Sequence, residues 1–339
     1  MSIVIGPIRT RNNVFLAPMS GVTDEAFRSM ANDCGAGLVV SEMVASEELV
    51  RERPDMVRRA RGGRKLSPFV IQLAGREAHW MAEGARVAQD LGADIIDINM
   101  GCPARQVTGG LSGSALMRDV DHAITLVEAT VAASRVPVTL KMRLGWDAQM
   151  MNAPELARRA ELAGVQLITV HGRTRCQFYT GKADWQAIRH VREAIRIPLI
   201  ANGDCLGAGE AQQMLLASGA DGVMIGRGAY GRPWWPGVVA NSLRPGAGVN
   251  EPGLAQERDL VLRHQSQTID LYGDHLGNRT FRKHFGWTIA RLLERGLIAE
   301  VFAAQARRRF LTLHGNGLVR DGINSCYDMA QETVERRAA

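Results

Sequence analysis

Eight short apolar runs punctuate the first two thirds of the chain, at residues 14–17, 38–41, 69–73, 94–99, 138–142, 167–171, 199–202 and 222–225. Most are rich in Val, Ile and Leu and continuous rather than alternating, the pattern of parallel strands covered on both faces. Amphipathic stretches at 79–91, 121–134, 154–163 and 210–218 predict helices between them. Successive runs mostly begin roughly 24 to 31 residues apart, the length of a right-handed βα unit. The wider gap between 94 and 138 leaves room for a long loop after the fourth strand. Eight such units over about 225 residues predict a (β/α)₈ TIM barrel. A doubly wound sheet would want a glycine fingerprint after its first strand; here that position reads Pro18-Met19-Ser20-Gly21.

Residues 241–252 are rich in Gly, Pro and Asn and read as a linker. Beyond them the periodicity is purely helical. Leu254, Val261, Thr268 and Tyr272 mark one face, Phe281, Phe285, Ile289 and Leu292 a second, and Phe302 with Phe310 a third. The expected organisation is a barrel domain over 1–242 and a small helical domain, of three or four helices, over 253–339.

Composition narrows the setting. Hydrophobic residues are 46% of the 339, enough for a large core. Residues 1–11 lack the charged and apolar regions of a secretion signal, and no apolar run nears the roughly 20 residues that span a bilayer. The five cysteines, Cys34, Cys102, Cys176, Cys205 and Cys326, are scattered without a C-x-x-C pair. That argues against a disulfide framework and against clustered metal or iron–sulfur ligation, so no metal and a reducing cytoplasm are expected. The formal charge of +6 permits a polyanionic partner without requiring one.

Catalytic groups of this fold sit at the C-terminal ends of the strands. Here the third run carries Gln72, the fourth Asn99 and then Cys102, the fifth Lys141 and Arg143. The sixth ends in His171 and Arg173, the seventh in Asn202 and Asp204, the eighth in Gly226-Arg227. One such residue is an ordinary satisfied polar group; six strand ends in succession define a site. Lys141, flanked by Leu140 and Met142, needs an anionic partner: either a carboxylate such as Asp97 or the negative charge that a reduced flavin develops around N1 and O2. Asn202-Gly203-Asp204 and Gly226-Arg227-Gly228 follow the seventh and eighth strands, where this fold commonly binds phosphate. Cys102 opens a Gly-rich loop over 104–113 and is either a nucleophile or a general acid.

In order, the motifs are Ala17-Pro18-Met19-Ser20-Gly21-Val22-Thr23-Asp24, Gln72, Asn99-Met100-Gly101-Cys102-Pro103-Ala104, Leu140-Lys141-Met142-Arg143 and His171-Gly172-Arg173-Thr174-Arg175. They continue with Ala201-Asn202-Gly203-Asp204, Gly226-Arg227, Gly231-Arg232-Pro233-Trp234 and Arg282-Lys283-His284. This series, running from about Gly6 to about Leu313, resembles the tRNA-dihydrouridine synthase family, most closely its bacterial B subgroup. The resemblance implies bound FMN, NADPH as electron donor, tRNA as substrate and a monomer. It implies that Pro18, Met19 and Ser20 line the isoalloxazine and that Gln72 meets its pyrimidine edge. Lys141 and His171 would contact the flavin, while Asn202, Gly203, Asp204, Gly226 and Arg227 would hold ribityl and phosphate. The family's catalytic cysteine maps onto Cys102. Hydride would pass from reduced FMN to C6 of uracil and a proton from Cys102 to C5, which selects the acid reading of the thiol.

An extruded uridine is expected to meet Asn99, and Arg105 and Arg173 join the substrate-binding set. Arg279, Arg282 and Lys283, opposite the Phe281/Phe285 face, are expected to contact phosphate, with Arg307, Arg308 and Arg309 as a second basic cluster, so binding should be salt-sensitive. Thr108-Gly109-Gly110 departs from the basic residues common in close relatives. Two rivals remain: an FMN-dependent reductase of a free pyrimidine or dihydroorotate-like molecule, and a non-catalytic tRNA-binding flavoprotein. Which uridine is reduced is not written in the sequence.

Overall fold

The computed structural model describes residues 1–61, 66–313 and 315–338. Eight parallel strand positions form the barrel: β1 (Val14–Leu16), β2 (Leu38–Val39, resuming at Val44–Ala45), β3 (Val70–Ala74), β4 (Ile95–Met100), β5 (Val138–Arg143), β6 (Ile168–His171), β7 (Leu199–Asn202) and β8 (Gly222–Ile225). Each pairs with its sequence neighbour, and β8 pairs with β1, Val223 opposite Val14. The ring closes through β2, where Leu38 sits opposite Phe15 on one side and Val40 bridges Val70 on the other.

The break in β2 differs from the continuous strand expected over 38–41, and Ser41 explains it. Its N–H still donates to the Val70 carbonyl at 3.1 Å. Its hydroxyl then takes the Gln72 N–H at 2.9 Å and donates to the Glu42 carbonyl at 2.8 Å, so a side chain replaces a carbonyl in the ladder. The other strands lie within a residue or so of their expected bounds, because continuous apolar runs buried on both faces leave little choice of register.

Helices α1 (Glu25–Asp33), α2 (Ala78–Asp90), α3 (Val120–Ala133), α4 (Ala153–Leu162), α5 (Trp185–Ala194) and α6 (Ala208–Ser218) connect the strands. Asp24, Asp119 and Asp184 cap α1, α3 and α5 by accepting a first-turn N–H. A hairpin pairing Val4–Ile5 with Ile8–Arg9 brings Ile3 and Ile5 into a cluster with Val70, Ile95, Leu167 and Ile200, near the starts of their strands. Apolar packing thus fills the N-terminal end of the ring, each large side chain stabilising it by about 1.5–3 kcal/mol. The opposite end is left for polar residues.

The expected loop over 104–113 is partly helical: Arg105–Thr108 forms one turn, and Gly113–Arg118 a 3₁₀ segment. The chain divides into two compact units, residues 1–228 with 236–249, and residues 229–235 with 250–339. Helix α7 (Trp235–Ser242) runs two residues into the stretch read as linker. The second unit holds four helices among its described residues: α8 (Leu254–Tyr272), α9 (Asp274–Glu294), α10 (Glu300–Phe310) and α11 (Asn316–Ala338). Residues 229–235, assigned to the barrel from sequence, group with these helices; Tyr230 stacks on Trp287 at 3.9 Å. On α9, Phe281, Phe285, Ile289 and Leu292 are buried as expected. The face of α8 is more polar than expected. Leu254 and Tyr272 are only half-buried, while Glu257, His264, Gln265 and Thr268 are buried beside Val261. Glu257 is held there by Arg295 at 2.6 Å, and the His264 ring packs edge-on against Phe281 and His284.

Candidate active site

Strand register assembles the polar residues. Gln72 lies opposite Asp97, Asn99 opposite Lys141, and His171 opposite both Arg143 and Asn202. In-register residues of adjacent parallel strands share a face, so these side chains gather at one end of the ring.

Cys102 is fixed through its backbone. Its N–H donates to Asn99 Oδ1 at 3.0 Å, and its carbonyl accepts from the Ser114 N–H at 3.1 Å and the Ser114 hydroxyl at 2.8 Å. One residue earlier, the Gly101 carbonyl accepts from Arg143 Nε at 2.8 Å. Gly113 turns the chain at φ +60°, where a Cβ would lie 2.9 Å from the Cys102 carbonyl oxygen and 2.8 Å from Val107. Only glycine fits there. The Cys102 side chain is half-buried, whereas Cys205 and Cys326 are buried and their thiols pushed up to about 12 by desolvation.

Lys141 is buried, and its Nζ donates to Asn202 Oδ1 at 3.2 Å. Asn202 is itself oriented by donating from Nδ2 to the Met224 carbonyl at 2.8 Å. Burial, then Arg143, push the lysine down to about 8, while Asp97 and Cys102 act in the opposite sense. The Lys141–Asp97 ion pair left open by the sequence does not form. Gln72 Nε2 and Thr139 Oγ1 occupy the Asp97 oxygens at 2.7 and 2.6 Å. An ammonium has three donors; Asn202 takes one, which leaves Lys141 capacity for an anionic ligand.

Asp204, expected at ribityl or phosphate, is a junction between two arginines. Its carboxylate accepts from Arg173 at 3.0 and 2.6 Å, from Arg227 at 2.9 Å and from the Ala183 N–H at 2.8 Å. Burial raises its pKa, but the Arg173 and Ala183 hydrogen bonds and the two nearby guanidinium charges together carry it below the usual carboxylate value. Arg173 is 1% exposed and also donates to the Gly181 and Thr180 carbonyls. Expected in the substrate-binding set, it has every arm engaged within the protein and braces the loop over 173–181. Arg227 remains half-exposed beside it. His171 Nε2 lies 3.3 Å from Arg173 NH1. Since a guanidinium only donates, that nitrogen accepts and the ring proton sits on Nδ1. Burial, followed by the charges of Arg143, Lys141, Arg173 and Arg227, drives the imidazole well below its usual pKa, so it is neutral.

The backbone next to this group is sharply turned. Gly203 at φ +116° and Asp204 at φ +56° turn the backbone, and a Cβ on Gly203 would strike His171 at 2.9 Å. The N–H groups of Gly203, Asp204 and Gly226 have no acceptor among the described residues. Unpaired backbone N–H groups with an arginine nearby suit a phosphate. Pro18 and Met19 are half-buried and Ser20 exposed, on a turn fixed by Met19 donating to Thr23 Oγ1 at 2.8 Å. A Cβ on Gly226 would lie 3.6 Å from Met19 Sδ, which puts this turn beside the phosphate loop.

Two residues join the site whose roles the sequence did not reveal. Arg143, 1% exposed, donates to the Gly101, Thr174 and Phe178 carbonyls at 2.8, 2.8 and 2.9 Å. It ties the cysteine turn to the loop after β6. Burial draws it down to about 10, which leaves it protonated at neutral pH. Its strand-end position was a visible signal, but its carbonyl partners were not. Tyr179, 54% exposed, lies between Arg143 and Arg227, with guanidinium carbons 5.6 and 5.2 Å from its ring centre. No sequence signal marked this loop aromatic, which follows Phe178 directly.

Of the residues expected on RNA, Arg105 is exposed three positions after Cys102. In the helical unit Arg279 is exposed, while Arg282 and Lys283 are half-buried and Arg282 donates to the Leu313 carbonyl at 3.4 Å. Arg307, Arg308 and Arg309 are exposed; the last two border a groove of about 490 Å³ with Phe302 and Phe310. Among the described residues there is no group of three or more potential metal ligands and no helix long and apolar enough to cross a membrane.

A profile of the family described as Dihydrouridine synthase (Dus) matches residues 15–310. The chain is 58% identical over 281 residues to a "Probable tRNA-dihydrouridine synthase" of Rhizobium leguminosarum bv. phaseoli, covering 83% of this chain and 86% of that one. It is 43% identical over 290 residues to "tRNA-dihydrouridine synthase B" of Pseudomonas putida, covering 85% and 86%. Among solved structures, morphinone reductase aligns with a TM-score of 0.54 at 16% identity, over 76% of this chain and 91% of that one. Histamine dehydrogenase from Rhizobium sp. 4-9 aligns with a TM-score of 0.55 at 13% identity, over 78% and 50%. At those identities the structural likeness is one of fold.

Proposed function

The chain belongs to the dihydrouridine synthase family, and from that premise we propose how its site reduces the C5=C6 bond of tRNA uridines to dihydrouridine. The single observation that carries the assignment of roles is Cys102, pinned by its backbone just past the end of β4 and close enough to buried Lys141 to act on its charge. FMN, with NADPH as its reductant, supplies the hydride at C6 when bound. Pro18, Met19 and Ser20 would border its ring, and Gln72 would meet the pyrimidine edge. Lys141 would offer its remaining N–H donors to the ring's N1 and O2 side, with neutral His171 beside it. Gly203, Asp204 and Gly226 would give backbone N–H groups to the phosphate and Arg227 its charge, while Asn202 and the Asp204 carboxylate hold Lys141, Arg173 and Arg227 in place.

Cys102 delivers the proton to C5. Both new bonds are to hydrogen, so the thiol acts as an acid and forms no adduct. The target base must leave its stack, at a cost of roughly a few kcal/mol. Tyr179 would offer it a ring face and Asn99 a polar contact. Arg105, Arg279, Arg282 and Lys283, with Arg307–Arg309, would hold phosphates. We assign the protein to the cytoplasm as a monomer.

Two results are expected. Lys141→Met weakens FMN binding about tenfold to a hundredfold, the loss of a charge-assisted hydrogen bond, in an equilibrium titration followed by flavin fluorescence. The apo form keeps its melting temperature, because removing a buried ammonium relieves a desolvation cost. Unchanged FMN affinity would take Lys141 out of the flavin site. Second, replacing Arg279, Arg307 or Arg308 by Ala removes one phosphate-binding charge each time, and each replacement lowers the slope of log Kd against log salt by about 0.9. A slope equal to that of the unaltered protein would place the RNA elsewhere. The reading as a whole is tested by dihydrouridine formation in tRNA with purified protein. A protein that reduces free uracil but not tRNA would favour the small-molecule alternative.

A further inference from the structure

Behind Cys102 a chain of side-chain hydrogen bonds runs through Asn99 and Gln72 to Asp97 and Thr139, to which no contact with the reacting groups is assigned. Cys102 N–H donates to Asn99 Oδ1 at 3.0 Å, as Gly101 N–H does at 3.3 Å. Asn99 Nδ2 donates to Gln72 Oε1 at 2.7 Å, Gln72 Nε2 to Asp97 Oδ2 at 2.7 Å, and Thr139 Oγ1 to Asp97 Oδ1 at 2.6 Å. Asn99, Gln72, Asp97 and Thr139 are all buried. An amide can point either way, and its orientation is decided by its neighbours. Here the two ends agree. A backbone N–H can only donate, so Asn99 must turn its oxygen to Cys102 and its NH₂ to Gln72. Gln72 must then turn its oxygen to Asn99 and its NH₂ to position 97, where only an acceptor fits. A carboxyl oxygen is that acceptor; burial raises the Asp97 pKa, and Gln72, Thr139 and Lys141 act against that rise.

We propose that Asp97 is a positioning residue, which sets the direction of the Gln72–Asn99 relay and so holds the Cys102 turn in its reactive geometry. It touches neither the thiol nor the substrate. If the acceptor at 97 is lost, Gln72 is free to reverse. Asn99 then presents NH₂ to an N–H, and the turn must shift to separate two donors. The inference rests on the acid role of Cys102 but concerns its placement.

The test compares Asp97→Ala, Asp97→Asn and Thr139→Val in the full-length, FMN-loaded protein. Three quantities are read: bound FMN, the single-turnover rate and KM for tRNA, and the rate of Cys102 alkylation by iodoacetamide from peptide mass spectra, with exposed Cys176 as internal reference. At saturating FMN, Asp97→Ala is expected to keep KM for tRNA while the rate falls about tenfold to a hundredfold, the effect of a misplaced catalytic group. Its Cys102 alkylation rate should change at least about threefold relative to Cys176, a sensitivity expected of a thiol whose reactivity follows its surroundings. Asp97→Asn keeps an oxygen for Gln72 and should restore most of both. Thr139→Val, close to isosteric, should move alkylation in the same direction by less, and it decides the matter if Asp97→Ala does not fold. Folded variants with unaltered Cys102 alkylation overturn the proposal. Near-normal turnover by Cys102→Ala would remove the acid role, yet the alkylation comparison would still decide whether Asp97 positions the turn.

Discussion

Cys102→Ala binds FMN as tightly as the unaltered protein and converts uridine to dihydrouridine about 10²- to 10⁴-fold more slowly, the usual worth of a positioned general acid. The two halves of that result separate because the groups do. Lys141, Asn202, Arg227 and the Gly203–Asp204 turn have their own hydrogen bonds, none of which passes through the Cys102 thiol. The cysteine turn is fixed by main-chain contacts to Asn99, Ser114 and, through Gly101, Arg143, all of which survive removal of the sulfur. Stability should hardly change, since the side chain is small and half-buried. Cys102→Ser should recover little, because an ordinary hydroxyl is a far weaker acid than a thiol. Absorbance near the flavin band, read beside dihydrouridine counted by mass, checks both halves on one sample. Turnover by Cys102→Ala within about threefold of the unaltered rate would remove the thiol from proton transfer.

How much of this was legible in the sequence depended on whether a signal was local. Strand positions were local: a continuous run such as Ile95-Ile96-Asp97-Ile98 allows one layer only, and its end fixes which polar residue faces the mouth. Motif residues were local too, which is why Cys102, Lys141 and His171 could be singled out. Pairing was not. Gln72 reaches Asp97 across 25 residues and Lys141 reaches Asn202 across 61. Nothing in the spacing says which polar residue meets another and which is left for a ligand. Arg173 is an example: its place at a strand end was visible, but its bonds to Asp204 and to the Gly181 and Thr180 carbonyls were not. Ser41 likewise read as the last residue of a strand and instead interrupts it. In the helical unit, a periodicity search for apolar residues marked Val261 and Thr268 on α8 but could not find Glu257, His264 and Gln265 on the same buried face.

Arg143→Met is the second large effect, and it falls on stability and rate together. The substitution keeps the aliphatic volume and removes three donors at once. It leaves the Gly101, Thr174 and Phe178 carbonyls without the partner they have in the native protein. A buried group stripped of its partner costs about 1–3 kcal/mol. Relief of the arginine's own desolvation returns part of that, so a net loss of about 3 kcal/mol is expected, on the order of 10 °C in melting temperature for a unit of this size. Rate should fall as well, even well below the melting point, because the cysteine turn and the loop carrying Tyr179 lose their common anchor. Arg143→Lys should not rescue it: an ammonium on a flexible stem cannot span three carbonyls that a planar guanidinium meets together. Scanning calorimetry with dihydrouridine assays at low temperature reads both effects. A melting temperature for Arg143→Met within about 2 °C of the unaltered protein would mean that the carbonyls find other donors and that the tie between the loops is dispensable.

Purified, FMN-loaded protein given an unmodified tRNA transcript and NADPH, with nuclease fragments mapped by mass, shows whether Cys102 and its neighbours reduce tRNA uridine. Particular fragments should gain the mass of two hydrogens at a uridine, the gain should require Cys102, and free uridine under the same conditions should be left unchanged. Folded, flavin-loaded protein that adds no hydrogen to any uridine of tRNAs drawn from its own cells' full set would contradict that expectation.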